Sequence, residues 1–297
     1  MSRRVYMELH LLVLLIAATA ILGNLISLPT AALVIWRTFL ASLGATFCVV
    51  FVARKRLWLP ARQIAVLLGI GGIIGLHWLC FFGAIKVANV SISLAGLATI
   101  SLFTAFTEPL LERRRVRPLE VLLGLLVFLG ILVIAGVERA HLAGLGLALL
   151  GALLAAIFPV LNRQQVNQLG HDPMVIVAWE MAGACLICLL GLVSFQGMSG
   201  MQSLIHFQRF DWLWLLLLAW VCTVFAHSFY IHLLRQLSAY TMNLAFNFEP
   251  IYGIAAAALL FGEHRELHPG FFAGAAMILI ANILHPVLLR RAVATQS

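Results

Sequence analysis

Charge is scarce in this sequence. Only 10% of its 297 residues are Asp, Glu, Lys or Arg, while 63% are hydrophobic, and that balance excludes a water-soluble domain. Long polar stretches are missing too, so the loops have no room for a soluble domain. Only the interval 197–209 is wide enough for an extra surface helix, and its Met198, Met201, Leu204, Ile205 and Phe207 are loosely helical in spacing. Alternating polarity is absent from the apolar runs, as at Leu11 to Ile16 and Leu215 to Leu218, which excludes transmembrane β-strands. A disulfide framework is missing as well. Cys48, Cys80, Cys185, Cys188 and Cys222 all fall inside apolar runs, where the CxxC spacing of Cys185 and Cys188 reads as small packing residues. There is no Walker loop, GxSxG elbow, HExxH or close carboxylate pair. The expectation is therefore no enzyme, no cofactor and no metal.

What is present is apolar length. A hydrocarbon core needs about 20 apolar residues per helix, and such runs occur at 9–28, 31–53, 62–85, 89–111, 118–137, 142–161, 174–195, 211–234, 239–261 and 269–289. The net charge of +8 could suggest nucleic acid, but the cations sort by membrane side. With the N-terminus cytoplasmic, Arg3, Arg4, Arg54, Lys55, Arg56, Arg62, Arg113, Arg114, Arg115, Arg117, Arg163, Arg235, Arg290 and Arg291 lie inside. Lys86, Arg139, Arg209 and Arg265 lie outside. This excess fits ten spans in a bacterial-type inner membrane with both termini cytoplasmic. Ser2-Arg3-Arg4 before an apolar run also resembles a secretory signal peptide, yet cleavage would remove the span that pairs with residues 142–161.

The apolar pattern occurs twice. Sliding residues 88–132 onto 239–283, a constant shift of 151, superposes Glu112 on Glu263 and Pro118 on Pro269 without a gap. Because five spans is an odd number, the second set crosses in the opposite sense to the first. The fold expected is all-α, ten transmembrane helices as two inverted five-helix repeats, 1–140 and 141–297. Inverted duplication of this kind points to a transporter.

Ionisable groups inside spans need a reason. Counting from Ala239, roughly ten residues at 1.5 Å each put Glu249 about 15 Å deep, near the midplane. Asn243 and Asn247 precede it, and Pro250 and Tyr252 follow. A carboxyl at that depth can take up and release a proton during transport. Arg37 and Glu180 become positional counterparts when Trp36 is aligned with Trp179; they could pair, or each could find another partner. Glu108 lies near the arginine cluster at 113–117 and reads as structural. His77 and Trp78, with His227, Tyr230 and His232, bring polar and aromatic groups to the third and eighth spans. Phe158 is a further wall candidate, and Asn24, Asn89 and Ser93 are weaker polar ones. Pro159 and Pro250 are candidate hinges or cavity-lining breaks. Gly69, Gly71, Gly72 and Gly75, Gly144, Gly146 and Gly151, and the GxxxG of Gly270 and Gly274, are expected to pack helices within the chain.

These residues resemble the EamA-type branch of the drug/metabolite transporter superfamily over essentially the whole chain. The likeness runs from Glu249-Pro250-Ile251-Tyr252 through Leu260-Phe261-Gly262-Glu263 to Pro269, and includes the connection 84–91 and its counterpart 237–241. The first half departs from it, reading Glu112-Arg113-Arg114-Arg115 without the Gly-Glu of 262–263. The resemblance implies a ten-helix fold with a cavity lined by spans 1, 3, 4, 6, 8 and 9, and with spans 5 and 10 together away from it. It also implies export or exchange of amino acids, other small metabolites or drugs. The function expected is an inner-membrane secondary transporter of a small polar metabolite, amino acids first. It would act as a monomer by alternating access, with protons as a candidate coupling ion, the bilayer as its surroundings and no nucleic-acid partner. The substrate would meet Glu249, Asn243, Asn247, His77, Trp78, His227, Tyr230, Phe158, Asn24 and Tyr252. Two other readings compete: an intramembrane enzyme acting on a lipid-linked substrate, and a membrane scaffold or sensor.

Overall fold

The computed structural model describes residues 3–294 except 114, 117, 169, 209, 238–241, 243–244 and 247. Among the described residues every regular element is a helix. The first five segments are α1 (Arg3–Leu25), α2 (Thr30–Phe47), α3 (Ala61–Val87), α4 (Val90–Leu97) and α5 (Ile100–Glu112). They are followed by α6 (Pro118–Val137), α7 (Leu142–Gln168), α8 (Pro173–Gln202), α9 (Asp211–Leu216) and α10 (Ala226–Leu233). The last two are α11 (Glu249–Leu260) and α12 (Pro269–Ala294). A π turn, Cys48–Val52, extends α2, and a π segment, Leu217–Phe225, joins α9 to α10.

The protein is a multi-pass membrane protein. Seven rods have the length and apolarity of a membrane span, and three shorter apolar helices, Val121–Val137, Glu249–Leu260 and Pro269–Ala281, stand at the other positions where runs were expected. The many large apolar side chains left exposed, Leu110, Phe195 and Leu259 among them, fit a surface that meets lipid.

Local chemistry sets the helix ends. The Asn89 side chain accepts from the Ile92 amide at 2.8 Å and caps α4, while Asp172 accepts from the Met174 amide at 2.9 Å and caps α8. Asn89 is thus a capping residue here, and Ser93 Oγ donates to the Asn89 carbonyl. α6 and α12 open on Pro118 and Pro269, the prolines the shift superposes, at the first helical position, where no amide partner is lost. α8 carries on where a separate surface helix was expected, is broken at Gly197 (φ 57°), and ends in the 3₁₀ turn Ser203–Ile205. Indole Nε1 of Trp36 donates to the Leu204 carbonyl at 2.8 Å and pins this segment to α2.

Small residues let the helices touch. A side chain on Gly71 would run into the backbone of Glu180, and one on Gly183 into the backbone of Leu68, so α3 and α8 cross in near backbone contact. Gly130 and Gly274 do the same for α6 and α12. Gly69 and Gly146 face open space and take no part in packing. The buried apolar residues form two clusters. The larger joins α1 to α4 with α7 to α10, and the smaller gathers α6 and α12 with Ile92, Ala95 and Leu145. The α6/α12 pair thus lies to one side.

Candidate functional site

Four ionisable groups of the spans, Arg37, His77, His227 and Glu249, line a central cavity. It is lined from α1 by Thr19, from α2 by Arg37, from α3 by His77 and Trp78, from α7 by Phe158, from α10 by His227 and Tyr230, and from α11 by Glu249. Leu97 and Ile100 close it from α4 and α5. These are the spans the resemblance implied, with Arg37 of the second span added.

Glu249 begins α11, and Pro250 sits in the first turn, where it starts a helix instead of kinking one. Its side chain is 4% exposed and lines the cavity. Aromatic rings form the wall beside it. Tyr230 stacks on Phe246 at 5.5 Å and on His227 at 5.6 Å, and Phe158 lies 5.8 Å from His77 and 6.5 Å from Tyr230. Buried Tyr230 Oη has no protein partner among the described residues.

The two histidines are anchored from behind. His77 Nδ1–H donates to the Gly151 carbonyl at 2.8 Å, which fixes the proton on Nδ1 and turns Nε2 away from α7. His227 Nε2–H donates to Glu180 Oε2 at 3.0 Å, with the Glu180 side chain wholly buried. Arg37 and Glu180, matched in sequence, therefore take different partners. Arg37 Nε donates to Thr223 Oγ1 at 2.8 Å, and its guanidinium lies 3.7 Å from the centre of the Trp78 ring.

Six of the ten sequence candidates line this cavity: Glu249, His77, Trp78, His227, Tyr230 and Phe158. Asn24 lies at the end of α1 and Tyr252 faces α1, where its hydroxyl is 3.5 Å from His10 Nδ1; neither lines the cavity. Asn243 and Asn247 lie outside the described residues. His232 is exposed on α10. Phe246 and Thr19 were not singled out in the sequence, since an aromatic or a threonine in an apolar run gives no signal of its own. Arg37 did, by being ionisable in a span.

Polar clasps join the halves at both ends of the bundle. At one end the Asp211 carboxylate accepts from the Ser27 amide at 2.8 Å and from the Ser27 hydroxyl; beside it, within the first half, Lys86 Nζ donates to the Ile26 carbonyl. At the same end Glu263 accepts from the Val90 amide at 3.0 Å, the Ser91 amide at 2.9 Å and the Ser91 hydroxyl at 2.6 Å. At the other end Arg163 meets Glu112 at 2.8 Å, and Lys55 meets Asp172 at 2.6 Å.

Among the described residues, the helical bundle holds a central cavity with polar walls drawn from both halves of the chain. Residues 142–285 match the EamA-like transporter family. That match lies in the second half of the chain and supports membership of the drug/metabolite transporter superfamily. No curated protein is recognisably similar in sequence. Among solved structures, a crystal structure of a protein given no further description superposes with a TM-score of 0.69 at 17% identity, covering 98% of this chain and 100% of its own. At that identity the likeness is one of fold alone.

Proposed function

We propose that this chain is a secondary transporter of the inner membrane that exports or exchanges a small polar metabolite, with amino acids the first class to test. Transport proceeds by alternating access, the two five-helix repeats rocking about the central cavity. The observation that carries this reading is Glu249. It is a deeply buried carboxyl without a protein hydrogen bond among the described residues, and it faces a cavity whose walls come from both halves. A carboxyl left so by its own protein suits a partner that comes and goes, either a proton or a substrate amine.

The arrangement of helices supports the inverted repeat. α3 packs on α7, and its counterpart segment Leu217–Leu233 packs on α1; α4 packs on α11, so the fourth and ninth spans meet, and α6 packs on its counterpart α12. The family match begins at residue 142, beside the boundary drawn between the repeats. Both termini are assigned to the cytoplasm from the placement of arginine.

The test is counterflow of labelled amino acids into proteoliposomes across a range of pH. Wild type is expected to take up at least one amino acid with a pH-dependent rate, and Glu249→Gln to lose that dependence with at least a tenfold fall in rate. Uptake by Glu249→Gln equal to wild type at every pH would remove Glu249 from the site.

A further inference from the structure

We propose that Arg37 is the anchor for a free carboxylate on the transported molecule. The proposal rests on the transporter reading above and adds to it the chemical group that the second span recognises. Arg37 is 2% exposed, and a guanidinium keeps its charge at any physiological pH. Such a charge inside a membrane protein calls for an anion. Glu180 is engaged by His227 at 3.0 Å, and Glu249 lines the same cavity without pairing with Arg37 among the described residues.

The guanidinium is held in place by one edge and one face. Its Nε donates to Thr223 Oγ1, and Thr223 in turn donates to the Leu218 carbonyl at 2.7 Å within the π segment. That second bond fixes the threonine hydroxyl so that its lone pair points at Arg37. Trp78 covers one face at 3.7 Å, and Phe82 stands 5.4 Å away. The terminal nitrogens make no hydrogen bond to the described residues, and Nη1 is buried without a partner. A fork of two N–H groups on a rigid plane matches the two oxygens of a carboxylate. Glu249 supplies the opposite charge in the same cavity. The pair therefore suits a zwitterion, its carboxylate on Arg37 and its amine toward Glu249, with Phe158 and Tyr230 against the remainder. An amide in place of the carboxylate would leave the guanidinium buried and uncompensated.

The experiment is proteoliposome counterflow with the common amino acids, and with the carboxyl amide of each one taken up, for wild type, Arg37→Lys and Thr223→Val. Wild type is expected to prefer acid over amide at least tenfold. Arg37→Lys, which keeps the charge but loses the fork, is expected to lower acid uptake at least tenfold. Thr223→Val, nearly the same in shape, frees Nε without emptying the core. It should raise KM for the acid several-fold and shrink the acid-to-amide ratio, a change of selectivity that a packing role would not produce. Acid and amide carried alike, or an unchanged ratio in both variants, overturns the Arg37 assignment and leaves the transporter reading standing. Uptake of none of the acids by sealed vesicles would overturn the amino-acid reading and the anchor together.

Discussion

Asp172 shows how a single residue can join two helices at the membrane edge. It caps α8 through the Met174 amide and holds Lys55 at 2.6 Å. Burial pushes its carboxyl up, but the hydrogen bonds from Lys55 and the Met174 amide outweigh that and hold it below the usual carboxylate range. With the folded value depressed, its stabilisation is present above the ordinary carboxylate pKa and is lost as pH falls through the folded one. Asp172→Ala is expected to cost about 1 kcal/mol, the usual price of a lost cap. Thermal unfolding in detergent should show that loss at pH 7 and show it vanish under strong acid. Glu249, His77 and Tyr230 were legible in the sequence because a polar group in an apolar run stands out. The partner of Arg37 was not. Aligning Trp36 with Trp179 left open whether Arg37 pairs with Glu180 or with another group; the actual partner, Thr223, is set by the geometry of a π segment that no spacing rule announces.

At the level of helices, glycine content in the sequence did not say which glycines matter. Gly71 and Gly183 bring α3 and α8 together, while Gly146 faces open space. Gly71→Ala and Gly183→Ala are each expected to destabilise by about 1–3 kcal/mol through overpacking. Gly146→Ala should be neutral or stabilising by up to about 1 kcal/mol through helix propensity. Melting curves of the three variants check this ordering. The ends of α5 and α11 differ as the missing Gly-Glu suggested. α5 keeps Glu112 in its last turn and closes on Arg113 at φ 56°, whereas α11 ends before Gly262 at φ 72° and sets Glu263 beyond the turn. Glu263 consequently reaches the first amides of α4, and Glu112 reaches Arg163. Glu263→Ala is expected to lower stability by about 2 kcal/mol, the scale of charge-assisted bonds, again read from the melting temperature.

Over the whole molecule, hydropathy made the all-helical, multi-pass fold legible, since membrane length and polarity are written directly in composition. The cavity takes unlike residues from the two halves of the chain. Glu249, His227, Tyr230 and Phe158 come from the second half, and Arg37, His77 and Trp78 from the first, so each half of the chain contributes different chemistry to a shared space. A fluorescent protein fused after Ser297 should fluoresce if the C-terminus is cytoplasmic, and alkaline phosphatase fused there should be inactive. Alternating access, as proposed, requires this shared cavity to open to each side of the membrane in turn. Cys222 lines it and is a free thiol. The most direct measurement is therefore modification of a variant keeping Cys222 as its sole cysteine by a membrane-impermeant maleimide, in right-side-out and inverted vesicles. Labelling from both faces, slowed from both by a saturating transported amino acid, is the result expected. Labelling from one face alone, or at a rate indifferent to every transported solute, would contradict it.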